Sequence, residues 1–303
     1  MLFQKKLQAD GISDEIYTLV NNTQIRPSTN IVISKTTAKY YLEQSKPLFE
    51  NLITKYYEVF SASSSYSGFT SNATVGDFFN SLICQSCEPY AILGGVTNTS
   101  TKYSGATNSE NDSSTKSNSS SLSGQSTAEN TGLAVFKDDV LVGELNSIET
   151  LCFSIIRNNV DGFLISVPNP NKSNSYIDLH LTPLTTPNVD VNILNGSPYI
   201  KLNCIFTGRI YSMEEDADYL DANTLEQISN SCDSYLESIL SEYLYKTSKS
   251  LNSDINGFGK KARKNFLTLD EFYDYNWKEN YKDAFFNVTV DSSIRSSSLL
   301  TES

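Results

Sequence analysis

The clearest periodicity lies between residues 197 and 245. Ile200, Leu202, Cys204, Phe206 and Ile210 fall on one side of an alternating run, with Lys201, Asn203, Thr207 and Arg209 on the other. A period of two predicts a strand with one buried and one wet face. The spacing then changes. Leu225, Ile228, Cys232, Tyr235, Leu236, Ile239 and Tyr243 recur as one stripe of an amphipathic helix. Thr224 and Gln227 have capping-box spacing and predict a helix start between Asp221 and Thr224. A lone helix of this composition is marginal in water, so it must pack on the sheet.

Similar reasoning covers the rest of the chain. Leu133–Phe136 and Val140–Leu145, joined by Lys137, Asp138 and Asp139, predict a β-hairpin. Asn146 is placed to cap a helix running through Leu151, Ile155 and Ile156. Gly162–Val167, Tyr176–Leu181 and Asn188–Leu194 predict strands, and Asn195-Gly196 is a hairpin turn signal. Upstream, Ile12–Val20, Ala38–Glu43 and Thr74–Cys84 predict short helices, the last with Thr74 and Asp77 as a start signal. Asn30–Ser34 predicts a strand, and Leu48 to Tyr57 repeats at helical spacing. Residues 97–131 carry almost no large apolar side chain and predict a flexible linker. The expected class is α+β, with a small mixed N-terminal part followed by a mainly antiparallel sheet packed against a long amphipathic helix. Expected units are residues 1–98, an insert at 99–131, a C-terminal α+β domain at 132–296 and a tail at 297–303.

Composition narrows the function classes. A net charge of −12 over 303 residues argues against a nucleic-acid partner, which requires a basic surface. No apolar run is long enough to cross a bilayer. The first twenty residues lack the apolar stretch and small-residue cleavage site of a signal peptide. Five cysteines cannot all pair, and Cys152, Cys204 and Cys232 fall on apolar positions, where cysteine fills core.

Candidate chemistry is sparse. Gly257-x-Gly259-x-x-Ala262 has the spacing of a dinucleotide fingerprint. That motif works between a strand and a helix, whereas here it follows a long helix. A helix-ending turn is expected, with Gly257 left-handed and Phe258 in the core. Cys84-x-x-Cys87 has redox or zinc spacing, but the only histidine is the distant His180 and no βαβ pattern surrounds the pair. Incidental cysteines are the expectation, with a local disulfide as the lesser alternative. The acidic run Glu214–Asp221 lacks the glycine and closing glutamate of an EF-hand loop and suits a solvated helix start. Lys260, Lys261, Arg263 and Lys264 form the one compact basic cluster, read either as a solvated face or as a membrane or partner contact. No catalytic residue, metal site or cofactor is expected.

The run Gly132–Leu145, Glu149-Thr150 behind it, Asp254-Ile-Asn-Gly-Phe-Gly259, Asn276-Trp277 and the closing strand Phe286–Ile294 together resemble the Ger(x)C family. Members of this family are C subunits of bacterial spore nutrient-germinant receptors. Asn22–Val32 and Phe69–Leu82 resemble further family segments, so the likeness covers most of the chain outside the insert. It implies structural roles for Gly257, Phe258, Gly259 and Trp277, and a non-enzymatic protein acting through protein–protein contact. Implied partners are the receptor's integral membrane A and B subunits, and the implied place is the outer face of the spore inner membrane. Family members begin with a lipoprotein signal peptide and a lipid-carrying cysteine; here Met1 enters partway through the family's first domain. The alternatives from other classes are a secreted adhesin or carbohydrate-binding module and a thiol redox enzyme using Cys84 and Cys87.

Overall fold

A computed structural model describes residues 1–4, 11–45, 64–97, 127–212 and 222–295. The helical repeat from Leu48 to Tyr57, most of the insert, the acidic run Glu214–Asp221 and the tail lie outside these residues. The described chain is α+β and is built on two five-stranded sheets.

The first sheet has the order β1 (Leu2–Gln4), β2 (Val32–Ser34), β3 (Tyr90–Thr97), β4 (Thr127–Lys137), β5 (Val140–Leu145). The first three strands run parallel to one another; β4 and β5 close the sheet as an antiparallel hairpin. Alternation divides its faces. Ala91, Leu93, Ala134 and Phe136 point to a small core under α1 (Ser13–Asn21) and α3 (Val75–Leu82). Tyr90, Ile92, Leu133 and Val135 point to the main core. A short α2 (Ala38–Gln44) packs Tyr41 beside this sheet, with its hydroxyl donating to Asn130 Oδ1 at 2.6 Å.

Two features here depart from the sequence expectation. β3 has no counterpart in the predicted elements, because Gly94-Gly95 interrupts its apolar run as a turn would. A Cβ at Gly94 would lie 2.9 Å from both the Tyr41 ring and Val32, so the strand uses glycine for close approach. β4 begins at Thr127, so residues 127–131, expected in the insert, belong to a ladder with β3. Backbone pairing draws these polar residues to the edge of β3, which apolar patterning does not register.

α4 (Ser147–Ile156) starts at a full Asn146/Glu149 capping box. Every residue from Thr150 to Ile156 is buried, the state of a helix enclosed on all sides. The second sheet has the order β10 (Phe285–Arg295), β9 (Ser197–Ser212), β7 (Tyr176–Pro183), β6 (Phe163–Pro168), and β8 (Asn188–Leu194) pairs with the first half of β9. Its pairings are antiparallel except β9 with β10, which run parallel over eleven residues. The Asn195-Gly196 turn joins β8 to β9 with φ positive at both residues, as its sequence signals.

α5 (Ala222–Tyr245) covers the buried face of this sheet through Ile228, Cys232, Leu236, Leu240, Tyr243 and Leu244. It begins at Ala222, so Thr224 lies inside the first turn rather than at its cap. Each large apolar side chain this stripe buries contributes about 1.5–3 kcal/mol to the C-terminal core. Replacing the fully buried Leu236 by Ala should cost about 2–5 kcal/mol. Replacing Tyr211, which is 68% exposed, should change stability by about 0.5 kcal/mol or less. Urea midpoints of the two variants decide it, and equal shifts would contradict the assignment.

Candidate functional site

The chain between α5 and β10 carries the candidate site. α5 passes into a π turn at Lys246–Ser250, and Asn252 follows at φ 46°. The long helix has therefore ended before Gly257, correcting the role expected for that residue. Gly257 is left-handed, at φ 76°, but it opens α6 (Phe258–Ala262) instead of closing α5. Phe258 is buried, as the sequence indicates.

Asp254 organises this turn. Its Oδ1 accepts from the N–H groups of Gly257 and Phe258 at 2.9 and 3.1 Å. Oδ2 accepts from the Gly259 N–H at 2.8 Å and from the Trp277 indole N–H at 2.9 Å. The carboxyl is buried, and burial pushes its pKa up while the four donors pull it back down. Three converging backbone N–H groups of this kind would suit a phosphate. Asp254 already occupies them, which is the physical reason the Gly-x-Gly spacing here is not a nucleotide loop.

Gly259 is required by contact. A Cβ there would fall 2.5 Å from the Ser86 carbonyl oxygen and 2.6 Å from two atoms of the Trp277 ring. Trp277 opens α8 (Trp277–Asn280) and is itself buried. Around this lock, the Tyr243 hydroxyl donates to Asn256 Oδ1 at 3.1 Å, Thr247 and Tyr281 share a hydroxyl bond, and Ser253 donates to the Phe136 carbonyl. The turn thereby joins α5, the β4 end of the first sheet and the aromatic segment.

A charge cluster around the buried Glu88 lies beside it. Glu88 is 2% exposed; its Oε2 accepts the Asp138 N–H at 2.6 Å and lies 3.3 Å from Lys278 Nζ. Lys278 also contacts Asp138 Oδ1 at 2.6 Å. Burial is the main cause that pushes Glu88 up to about 7. Cys84 and Cys87, expected as incidental thiols, form a disulfide. The tight turn holds their Cα atoms 5.4 Å apart, within bridging range. A depression of about 340 Å³ lies between this turn and α7 (Leu269–Tyr275), lined by Cys84, Asp138, Tyr273, Asn276 and Lys278.

The basic residues stand on the outside of the same cap. Lys260, Lys261, Arg263 and Lys264 are all exposed. Lys264 pairs with Asp190 on β8; among the described residues no carboxylate pairs with the other three. His180 sits on β7, in register between Leu164 and Arg209 in the second sheet. Among the described residues no three metal-binding side chains gather. Cys152, Cys204 and Cys232 are buried, and burial pushes the thiols of Cys204 and Cys232 up to about 12. The sequence reading missed Asp254, Glu88 and Lys278 as organising residues. An Asp followed by Gly at three and five residues was the legible signal for the first. Glu88 and Lys278 are distant in sequence and gave none.

Two outcomes follow from this geometry. Gly259→Ala should destabilise more than Gly257→Ala, because the second meets only backbone strain of about 1–2 kcal/mol while the first meets a carbonyl and an indole; melting temperatures in the reverse order would contradict the packing. Glu88 ionises near 4.5 unfolded and about 7 folded, so the folded state holds its proton more tightly. Its contribution to stability is full at acid pH and falls by about 3 kcal/mol as pH rises from 4.5 to 7. Glu88→Gln should remove that part of the slope in urea unfolding; parallel pH profiles for variant and parent would contradict it.

Comparison with known proteins agrees with this architecture. Residues 1–93 match the model of the spore germination protein N-terminal domain. Residues 131–298 match that of the spore germination B3/GerAC-like C-terminal domain. The crystal structure of the GerBC protein has the same fold, with a TM-score of 0.60 and 14% identity over 97% of this chain and 78% of that one. No curated protein matches the chain. With two family models covering both halves and the fold of GerBC shared nearly end to end, the chain belongs to the Ger(x)C family of spore-germination proteins.

Proposed function

We propose that this protein is the C subunit of a spore nutrient-germinant receptor and works without catalysing a reaction. Its partners in this reading are the integral membrane A and B subunits, and its place is peripheral, on the outer face of the spore inner membrane. The carrying observation is the family match over both halves of the chain. No described helix is long and apolar enough to cross a membrane, so attachment in this reading comes from partners, lipid or surface contact.

The interior supports a scaffold role. Its most heavily hydrogen-bonded polar group, the Asp254 carboxyl, faces four protein N–H donors. Cys152, Cys204 and Cys232 are buried, and burial raises the pKa of the Cys204 and Cys232 thiols, so these serve as core rather than as reactive groups. Assembly then falls to the exposed faces.

Deleting the gene should abolish or strongly slow germination triggered by one class of nutrient. The protein should also copurify from spore membranes with two polytopic proteins. Normal germination in the deletion strain, together with glycan binding by the isolated protein, would replace this reading with that of a carbohydrate-binding module.

A further inference from the structure

The strand register of the second sheet sets like charges side by side. Leu164, His180, Arg209 and Arg295 are successive register partners on β6, β7, β9 and β10. Register partners share a face. This row faces away from α5, because the residues next to it along each strand, Ile165, Leu179, Ile210 and Ile294, are buried in the main core. Arg209 and Arg295 are both exposed, and neighbouring strands lie about 4.8 Å apart, so the two side chains rise from one spot. Neither has an ion-pair partner among the described residues. Like charges directly opposite weaken a sheet.

The residues around the row do not neutralise it. On one side the same face carries Thr182, Thr207 and Ser293, three uncharged register partners. On the other side stands Asp178, whose Oδ1 already accepts the Ser166 hydroxyl at 2.6 Å. Asp291 is four residues from Arg295 along β10, about 13 Å away and beyond the screening length at physiological salt. The His180 ring lies against Gly162, where a Cβ would fall 3.2 Å from its Cε1, so the imidazole is held beside the arginines as a further donor. Leu164, 45% exposed, ends the row, and Tyr211, the extra residue of the β7–β9 bulge, stands exposed beyond Arg209.

We infer that this row is a docking point for an acidic surface of a protein partner, with Arg209 and Arg295 meeting carboxylates and Leu164 and Tyr211 flanking them. Charge complementarity selects that occupant: a chain of net charge −12 keeps two unpaired arginines in register, and carboxylates between them turn the repulsion into attraction. The row stands on an exposed sheet face, which meets another protein surface, whereas a small anion needs a concave site that buries it. Arginine and tyrosine are also the side chains that most often carry interface energy. The inference deepens the assembly reading above and takes its partners, the two membrane subunits, from it.

The test expresses a tagged parent chain, or its double variant Arg209→Gln, Arg295→Gln, in place of the chromosomal copy. The two polytopic proteins recovered with it from detergent-solubilised spore membranes are then quantified. Recovery with the variant should fall about tenfold. Recovery with the parent should weaken as salt rises, while that with the variant stays flat. Lys201→Gln, on the same face but eight residues from Arg209 along β9, should leave recovery unchanged. Each single variant should melt no lower than the parent at low salt, because it removes one of two opposed like charges. A lower melting temperature assigns the arginines to the fold and overturns the inference. Binding of the parent to phosphatidylglycerol vesicles, lost in the double variant, reassigns the row to lipid and overturns it as well. Equal recovery with parent and double variant removes the docking point and leaves the receptor reading standing. Recovery of neither protein by the parent, with normal germination on deletion, removes the receptor reading and the inference with it.

Discussion

A carboxyl group taken out of water must recover its lost hydration from protein donors, and the turn at Asp254 meets that requirement with four N–H groups. Three donors are backbone groups of Gly257, Phe258 and Gly259, and they can converge only because Gly257 is left-handed. The fourth is the Trp277 indole, which brings the aromatic segment against Gly259. Sequence and geometry therefore constrain each other. Remove the carboxyl and three backbone donors are left buried; add a side chain at Gly259 and the indole has no room.

The cap so formed unites parts of the chain far apart in sequence. Ser86 supplies the carbonyl beneath Gly259, and Glu88, Asp138 and Lys278 draw together the disulfide turn, the β4–β5 hairpin and α8. Glu88 and Lys278 are sheltered, so solvent screens their pairing less than that of surface pairs, while Asp138 stays exposed. Because β4 completes the sheet of β1–β3 while α4 and α5 fill the space behind it, the two family regions share one core. The exposed faces thus sit on a framework that holds their geometry.

Much of this was legible in the sequence, for physical reasons. Strand β9 and helix α5 each have one wet and one buried face, and such faces write their period directly into residue order. The Asn146 N-cap and the Asn195-Gly196 turn are local and were read residue by residue. β3 was illegible because Gly94 serves a tertiary contact with Tyr41, and residues 127–131 because backbone pairing asks little of side chains. The start of α5 at Ala222 falls within the expected Asp221–Thr224 interval, and only the capping role of Thr224 differs: a capping pattern is also a sequence compatible with a first turn. Within the site, Gly257, Phe258, Gly259 and Trp277 were identified, but the group that unites them was not. Asp254 reads as one more acidic residue until its donors are seen around it.

Native-state hydrogen exchange measures that group's role most directly. The amides of Phe258 and Gly259 and the indole N–H of Trp277 should exchange only through large-scale unfolding, and Asp254→Ala should bring all of them down together while α4 amides remain slow. Exchange of these protons at the rate of an open surface turn in the unaltered protein, or protection unchanged by Asp254→Ala, would contradict the view that one buried carboxyl holds this cap together.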